Sequence, residues 1–400
     1  MDDVRKRWVR VAAGIAALAL AAGCQAASGN QGSTATGSAA PSASASPPAP
    51  GPATISVTPS DGSKAVAPGA KVLVTVAGGK LESVVVKTAA GRRLKGAYGP
   101  GQASWRATSK LAFNTGYTVS AKAAGPGGKA TASASFRTVK AREELSASVL
   151  PLDGETVGVG LPIVVYLSAP VEDRAAVEHR LTVETSRPVE GAWHWTSDDE
   201  VHFRPRHYWP AHTKITLRAD LRGVNAGDGV WGVKDRLITF ETGDAIISTV
   251  NVKKLKMTVS RNGKVVRTIP VTAGKAGFTT RSGTKVVSEK HRVKIMDAAT
   301  IGIGEGDPEY YRLRVEYALR VTNSGEFVHA APWSVGSQGS SRVSHGCVGM
   351  STANASWLYG ISHRGDIIKV TGTERQMEPG NGFTDWNMSW EDWVDGSALA

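Results

Sequence analysis

Two histidines and a cysteine in the last quarter of the chain have the residue types and spacing for nucleophilic catalysis. His345 and Cys347 share the stretch SHGCVGM, and His329 precedes Cys347 by 18 residues. A thiol attacks carbonyl carbon as a thiolate, and its ordinary pKa of ~8.5 leaves little thiolate at neutral pH. A histidine within hydrogen-bond reach removes that proton or pairs with the thiolate. The pattern predicts a cysteine nucleophile, with either histidine as its base.

Zinc binding is a competing interpretation, because two histidines, Cys347 and His363 are all possible zinc ligands. Their spacing matches no closed structural site such as paired Cys-x-x-Cys motifs. A buried and inert cysteine is the second alternative, since free cysteine often packs as a small apolar residue. We favour the nucleophile and expect neither a metal nor a cofactor.

The elements around this cluster read as strands joined by turns. Alternation of polar and apolar residues runs up to His329, and a Gly/Ser-rich loop over 331–344 is suited to lining the mouth of a site. Upstream, Asn262-Gly263 between two alternating runs predicts a hairpin. After Cys347, Ser351 or Thr352 is placed to cap a short helix. On a strand His345 and Cys347 would face the same side, unless the chain turns at Gly346.

The N-terminus predicts export. RKRWVR is a positive leader segment, the apolar run VAAGIAALALAA follows it, and LAAGC ends at Cys24. The ending resembles a bacterial lipoprotein signal, in which that cysteine is acylated, although a plain cleaved signal is an alternative. We therefore expect residues 1–24 to be a signal peptide and Cys24 a lipidation site on the outer face of the cytoplasmic membrane. A lipidated Cys24 leaves Cys347, the other of the two cysteines, without a disulfide partner.

Composition predicts a tether followed by β domains. Residues 25–52 are rich in Ala, Ser and Pro and carry no charge, which indicates a disordered linker. Residues 53–141 and 142–245 each contain a Pro-x-Asp-Gly turn followed by alternating strands, offset by 92 residues. A degenerate repeat of this length with short strands is typical of immunoglobulin-like sandwiches. Neither unit contains a catalytic constellation, and we interpret His194 and His202 as solvated or packed strand residues.

The remaining features concern partners. A formal charge of +12 suits an anionic partner, which outside a cell means wall polymer or lipid head groups. Nucleic acid is disfavoured, because no segment combines clustered cations with a reading motif.

In the tail, 373–400, three tryptophans at helix-like spacing are expected to pack against a neighbouring domain: Trp386, Trp390 and Trp393.

The run from His329 to Cys347 resembles the signature of the L,D-transpeptidases, the YkuD-type catalytic domain: a His, a loop of some fifteen residues, then Ser/Thr-His-Gly-Cys. Other stretches resemble actinobacterial members: HAAPWS (329–334), KIMD (294–297), HRGDIIKV (363–370) and DWNMSWEDW (385–393). The resemblance implies a mainly β chain. Two immunoglobulin-like β-sandwiches would precede a β-rich L,D-transpeptidase catalytic domain at 246–372, with a short helix after the nucleophile.

The resemblance also implies roles for single residues. Cys347 matches the nucleophile and His329 the general base, oriented through the backbone carbonyl of Ala330. His345 and Gly346 match residues that shape the site. The remaining assignments are an oxyanion donor pair, the Cys347 N–H and the Tyr311 hydroxyl, and substrate-binding positions at Met296, Trp333, Ser344 and Gly349. Gly349 departs from the Asn that is common there.

The family reaction implied for this chain joins peptidoglycan stem peptides. Cys347 would attack the third residue of a tetrapeptide stem, release D-Ala, and pass the acyl group to an acceptor amine, giving a 3→3 cross-link. Carbapenem β-lactams would acylate the same thiol. The alternatives are a wall carboxypeptidase or endopeptidase, an enzyme that attaches protein to peptidoglycan, and a non-catalytic wall-binding lipoprotein.

Overall fold

The computed structural model describes residues 51–400. The predicted signal peptide, the lipidation site at Cys24 and all but the end of the predicted tether lie outside the described residues. Within 51–400, none of the helices has the length and apolar character that crossing a membrane requires.

The first β-sandwich packs two four-stranded sheets, ordered β1-β3-β6-β5 and β2-β8-β7-β4. Between the sheets lies one core, which contains Val74, Trp105, Val119 and Phe136. Its strands are β1 (Thr54–Thr58), β2 (Ser63–Val66), β3 (Leu73–Ala77), β4 (Lys80–Thr88), β5 (Gly96–Tyr98), β6 (Ser104–Ala107), β7 (Gly116–Gly125) and β8 (Gly128–Thr138), with a 3-10 turn at Pro100–Gln102.

The second β-sandwich packs the sheets β10-β12-β15-β14 and β11-β18-β16-β13, and a parallel β9–β17 pair flanks them. Its elements are β9 (Glu143–Leu145), β10 (Ala147–Leu150), β11 (Thr156–Val157), β12 (Ile163–Leu167), α1 (Arg174–Glu178), β13 (Leu181–Thr185), β14 (Gly191–Trp195), β15 (Glu200–Pro205), β16 (Lys214–Ala219), β17 (Val230–Gly232) and β18 (Arg236–Thr242).

The Pro-x-Asp-Gly turn makes the same hydrogen bond to the closing strand in both sandwiches. Asp61 accepts a hydrogen bond from the Ser135 N–H at 2.7 Å, and Asp153 accepts one from the Thr239 N–H at 2.8 Å. The glycine that follows each aspartate has a left-handed φ, +74° at Gly62 and +76° at Gly154. Each aspartate thus ties its turn to the closing strand, and the glycine supplies the backbone conformation that a side chain would strain.

Residues 246 onward form two further sheets, ordered β21-β20-β19-β27-β22 and β23-β24-β25-β26. At the predicted hairpin, Asn262 and Gly263 both have positive φ, as a two-residue type I′ turn requires. The elements are β19 (Ile246–Asn251), β20 (Lys256–Arg261), β21 (Lys264–Pro270), β22 (Gly283–Val286), β23 (Glu289–Asp297), β24 (Arg312–Arg320), β25 (Phe327–Ala330), β26 (Val348–Met350), α2 (Thr352–Ile361), β27 (Ile367–Thr371) and α3 (Trp390–Asp395), with 3-10 segments at Ala298–Ile301, Pro332–Ser337 and Asp385–Asn387.

The predicted fold class is confirmed: the described chain is mostly β, with two sandwiches before the sheets that carry the site. The helix after Cys347 is α2, and its N-cap is Ser351, whose hydroxyl accepts from the Asn354 N–H. The domain boundaries at 141, 245 and 372 stay predictions.

The apolar core of the second sandwich extends into the sheet that contains β22 and β27. Val286 and Ile367 belong to the same buried cluster as Leu161 and Trp209 of the sandwich. The Gly158 N–H donates to the Arg364 carbonyl at 2.7 Å. The joint leaves no room for side chains, since a Cβ at Gly158 would lie 2.1 Å from the Asp366 nitrogen.

The tail packs on the second sandwich, as expected, but not as one helix. Ser389 interrupts it, because its side chain caps α3 and accepts from the Asp392 N–H. Trp393 is 1% exposed, donates from Nε1 to the Ala192 carbonyl and stacks on His194. The guanidinium of Arg204 lies 4.6 to 5.3 Å from the ring centroids of Trp386, Trp390 and Trp393.

His194 and His202 are therefore packed residues. His202 is buried between the Asp385 and Glu200 carboxylates, each 2.6 Å from a ring nitrogen. Burial disfavours its charged form, but the two carboxylates outweigh burial and raise the pKa of His202 to about 9. The histidine accordingly links strand β15 to the tail by charge.

Candidate active site

Parallel pairing of β25 with β26 brings the two candidate residues together. His329 on β25 pairs with Gly349 on β26, and Cys347 immediately precedes β26. Residues 18 apart in sequence thus reach the same end of one sheet. Both line a cavity of about 170 Å³ whose walls also include Thr272, Met296, Tyr311, Leu313, Val315, Ala331, Trp333, Ser334, Val343, Ser344, His345 and Gly349.

His329 is buried and held in one tautomer. Its Nδ1 lies 2.7 Å from the carbonyl oxygen of Ala330 and must donate to it, so Nε2 carries the lone pair. The structure thus contains the hydrogen bond that the resemblance implied, made through main chain. Burial lowers the pKa of His329 below its ordinary 6.5, although the Ala330 carbonyl opposes this. A neutral imidazole at neutral pH is the form that can accept a proton.

Cys347 is buried and is the one cysteine within residues 51–400. The Phe327 N–H donates to its Sγ at 3.4 Å, and the thiol faces the Gly325 carbonyl at 3.8 Å. Burial raises the pKa of Cys347 to about 12, despite the Phe327 hydrogen bond. The resting site therefore contains a neutral thiol and a neutral imidazole in one cavity, and the thiolate forms only when a base removes the proton.

His345 is engaged elsewhere and is not placed as the base. Its Nε2 lies 2.7 Å from a Glu309 carboxylate oxygen, and that carboxylate also pairs with Lys275. Its ring packs against Phe278 and Tyr311, with centroids 4.4 and 4.8 Å away. The turn at Gly346 breaks the strand alternation, so His345 contributes to the shape of the cavity wall.

The turn before the nucleophile is built by hydrogen bonds. The Ser344 hydroxyl donates to the Cys347 carbonyl at 2.6 Å and accepts from the Gly346 N–H at 3.2 Å. Gly346 has a φ of +119°, a conformation that other residues rarely adopt. Across the described chain, the Cys347 N–H has no hydrogen-bond acceptor of its own. That N–H is available to an oxyanion beside the sulfur.

Tyr311 lines the same cavity, lies just before β24 and is half-buried. Burial, and then the nearby Cys347, raise the pKa of Tyr311 to about 12. Its hydroxyl therefore stays protonated and can donate at any physiological pH. This suits the second oxyanion donor that the resemblance implied.

The candidate substrate-binding residues differ in exposure. Met296 is buried in a small apolar cluster with Val315, Phe327 and Cys347. Trp333, on the 3-10 segment after β25, is 56% exposed, and its ring centroid lies 6.0 Å from that of His329. An exposed aromatic ring at the rim of a cavity is a surface on which a ligand can pack.

Gly349 is closely surrounded. Its N–H and carbonyl both bond Thr272, at 3.1 and 2.9 Å. A Cβ there would lie 3.0 Å from Ala331 Cβ and 3.0 Å from Thr272 Cγ2. The neighbours thus occupy part of the space that a side chain would need, which gives a packing reason for glycine at this position.

The zinc alternative included His363 as a possible further ligand. The structure places His363 between α2 and β27, where its N–H donates to Asp366 and its ring lies near Gly243. It is not among the residues that line the cavity.

Sequence reasoning missed a buried ion-pair cluster beneath the nucleophile. Lys285 and Glu326 are 1% and 4% exposed and form a salt bridge, and Arg281 bonds the other carboxylate oxygen of Glu326. The available signal was a lysine inside the strand TKVV, whose neighbours are all buried. Charge at such a position predicts a partner, but not which one.

Comparisons with known proteins agree with this geometry. The family profile of the L,D-transpeptidase catalytic domain matches residues 246–370, and that of a bacterial Ig domain matches 63–225. L,D-transpeptidase 2 of Mycobacterium tuberculosis is 38% identical over 348 residues, which cover 87% of this chain and 85% of that protein. L,D-transpeptidase 1 of the same species is 41% identical over 226 residues, covering 56% of this chain and 84% of that protein. A solved structure of an L,D-transpeptidase in complex with imipenem superposes with a TM-score of 0.50 at 39% identity, over 57% of this chain and 99% of its own.

Proposed function

The chain belongs to the L,D-transpeptidase family and is an enzyme of this type, and from that premise we propose that it forms 3→3 cross-links between peptidoglycan stem peptides. The observation that supports the proposal is one cavity lined by both the Cys347 thiol and a neutral, carbonyl-oriented His329. A cysteine acyl-transfer enzyme needs a thiol nucleophile and a base that accepts its proton, and Cys347 and His329 have these two roles in the proposal.

In the first step, Cys347 forms a thioester with the stem. His329 Nε2 takes the thiol proton as Sγ attacks the carbonyl carbon of the third stem residue. The tetrahedral oxyanion accepts from the Cys347 N–H and the Tyr311 hydroxyl, and each such donor is worth about 3 kcal/mol. The C–N bond to D-Ala then breaks, and the imidazolium returns the proton to the leaving amine.

In the second step, the acceptor replaces the enzyme. The side-chain amine of an acceptor stem attacks the thioester carbonyl while His329 removes its proton. The C–S bond breaks, the thiol is restored, and the product is an amide between the third residues of two stems. Met296 and Trp333 provide an apolar wall and an aromatic rim for the peptide, and Ser344 holds the turn that presents the thiol.

Water in place of the acceptor amine would make the enzyme a carboxypeptidase or endopeptidase, and a protein amine would make it a protein-attachment enzyme. The family favours the peptidoglycan amine over both. Carbapenems are expected to acylate Cys347 by the first step, since a relative at 39% identity has been solved in complex with imipenem.

Trapping the intermediate tests the reaction class. Incubation of the full chain with a disaccharide-tetrapeptide, followed by intact-mass measurement, should show an adduct equal to the substrate minus D-Ala. Cys347→Ala should show none. Absence of the adduct from the wild-type chain would favour the non-catalytic wall-binding alternative, and an adduct that persists in Cys347→Ala would place the acyl group on another residue.

The proposed location is the outer face of the cytoplasmic membrane, through a lipid on Cys24. The sequence before Cys24 supports this, and the predicted tether of 28 residues would give a reach of about 30 Å. Metabolic labelling with a palmitate analogue should label the wild-type chain and not Cys24→Ser, which should leave the membrane fraction. Retention of Cys24→Ser in that fraction would contradict the anchor.

A further inference from the structure

A buried salt bridge lies next to the segment that contacts the thiol: Glu326 stands between Gly325 and Phe327, which both contact Cys347 Sγ. Lys285 on β22 pairs with a Glu326 oxygen, and the other Glu326 oxygen accepts from the Arg281 N–H at 3.1 Å and from its Nη1 at 3.0 Å. Arg281 also bonds Glu378, which is about half exposed. The mechanism above uses none of these groups.

The segment that carries Glu326 also holds the sulfur. Gly325 and Phe327, on either side of Glu326, supply the carbonyl and the N–H that contact Cys347 Sγ. The Glu326 main chain is itself fixed: its N–H donates to Thr322 Oγ1 at 2.8 Å. The anion and the nucleophile therefore lie on adjoining parts of one tight turn.

The Glu326 carboxylate also lies close to Gly346, the residue that precedes Cys347. A Cβ at Gly346 would lie 3.5 Å from both Cγ and Oε1 of Glu326. The Glu326 side chain thus packs under the residue that precedes Cys347. An unpaired carboxylate there would oppose a second negative charge on the sulfur, because buried charges interact with little screening.

Stability alone does not account for this cluster. Buried ion pairs often contribute nothing to stability relative to well-packed apolar residues, because desolvation offsets their attraction. Because the ion pair lies near the reactive sulfur, its charges can influence the ionisation of the Cys347 thiol.

We propose that Lys285 is a positioning residue for Cys347: its ammonium group compensates the Glu326 carboxylate and so permits a thiolate to form at the sulfur that residues 325–327 hold. The two charges then have opposite effects on the thiol, Lys285 favouring its ionised form and Glu326 opposing it. The direction of each influence on the pKa of Cys347 agrees with this. The inference rests on the proposed role of Cys347 as nucleophile.

Four other charged or titratable groups lie near the thiol or the salt bridge and keep their residue types in the test variants: Arg281, His329, Tyr311 and His345. Of these, Arg281 loses an ion pair in Glu326→Gln but keeps its bond to Glu378.

Alkylation of Cys347 by iodoacetamide tests the proposal without any wall substrate, so its failure is distinct from a failure of transpeptidation. The full chain is treated at pH 7.5 and the modified peptide is quantified by mass spectrometry, which separates Cys347 from Cys24. Lys285→Met should slow alkylation roughly tenfold, equivalent to one pKa unit, and Lys285→Arg should restore part of the rate. Glu326→Gln should accelerate alkylation.

The double variant Lys285→Met/Glu326→Gln should return towards the wild-type rate, because neither charge remains. Lys290→Met is the matched control: Lys290 is another desolvated lysine of the same sheets, but it bonds the Ser362 carbonyl, away from the sulfur. In Lys290→Met, Cys347 should be alkylated at the wild-type rate.

Effects of the same sign in Lys285→Met and Glu326→Gln would overturn the proposal, since a purely structural role disturbs the site either way. A wild-type rate in Lys285→Met would also overturn it. If Lys285→Met fails to fold, Glu326→Gln and Lys285→Arg still decide: the first must accelerate alkylation and the second must remain alkylated, and any other result refutes the proposal.

Discussion

At the scale of single residues, the site depends on burial. The same desolvation keeps the Cys347 thiol and the His329 imidazole neutral, so neither is poised as an ion before substrate arrives. Proton transfer must then accompany attack on the carbonyl. Papain-like sites that hold a ready thiolate–imidazolium pair work differently.

This difference predicts the pH dependence of acylation. The rate constant for acylation by imipenem should rise with pH as His329 loses its proton, with an apparent pKa below 6.5, and then stay level through neutral pH. A thiol pKa near 12 gives no second rise near 8.5. The acylation rate constant is measured from the loss of imipenem absorbance at pH values between 5 and 9.5. A rise in this rate constant centred near pH 8.5 would contradict the neutral state of the Cys347 thiol and the His329 imidazole.

His329→Gln is the companion variant. It keeps the size of the side chain but removes the base, so acylation at pH 7.5 should fall by about 10²–10⁴. His345→Gln alters the contacts with Glu309, Phe278 and Tyr311 but removes no base, so it should retain far more activity. Equal losses in the two variants would mean that the assignment of the base is wrong.

At the scale of elements, the tail fastens to the second sandwich through Trp393. Removing this side chain opens a cavity under Arg204 and leaves the Ala192 carbonyl without its donor. Trp393→Ala should therefore cost roughly 3–5 kcal/mol of unfolding free energy. Thermal or denaturant unfolding measures this, with the less buried Trp390→Ala as the control that should lose less. Equal losses would contradict the role of Trp393 as the anchor.

The same junction predicts a pH-dependent stability. Folding raises the pKa of His202 from 6.5 to about 9, so its stabilising effect is complete below pH 6.5 and is lost as pH rises through 9. Unfolding midpoints of the wild type should approach those of His202→Gln between these values. An unchanged difference across that window would contradict the charged pairing with Asp385.

Much of the fold could be predicted from such local patterns. The Asn262-Gly263 turn, the Ser351 cap and the paired Pro-x-Asp-Gly turns follow from backbone rules that act over a few residues. The split of the tail into two short helices could not be predicted, because the sandwich surface and the Ser389 cap decide it. Likewise, the site motif identified Cys347 and His329, whereas Lys285 and Glu326 meet only through tertiary structure, 41 residues apart.

At the scale of the whole molecule, the apolar core of the second sandwich extends to Val286 and Ile367 of the sheet that contains β22 and β27. Two glycine residues, Gly158 and Gly160, allow the backbones to approach, and Glu155 pairs with Arg364 beside them. The second sandwich and this sheet are thus packed directly on each other.

A methyl group at the joint tests this continuity. Gly158→Ala places a Cβ 2.1 Å from the Asp366 nitrogen, so the contact must open, and we expect the unfolding midpoint to fall by several degrees. Gly360→Ala is the control: it meets nothing within 4 Å and lies inside α2, where alanine stabilises by about 1 kcal/mol. A midpoint for Gly158→Ala as high as that of Gly360→Ala would contradict the shared core.

The most direct test of the central claim is the product of the reaction. The full chain is incubated with disaccharide-tetrapeptide, and the muropeptides are analysed by tandem mass spectrometry. We expect dimers joined through the third residues of two stems, together with free D-Ala, and neither product from Cys347→Ala. Tripeptide and D-Ala without any dimer, or dimers that persist in Cys347→Ala, would contradict transpeptidation by this thiol.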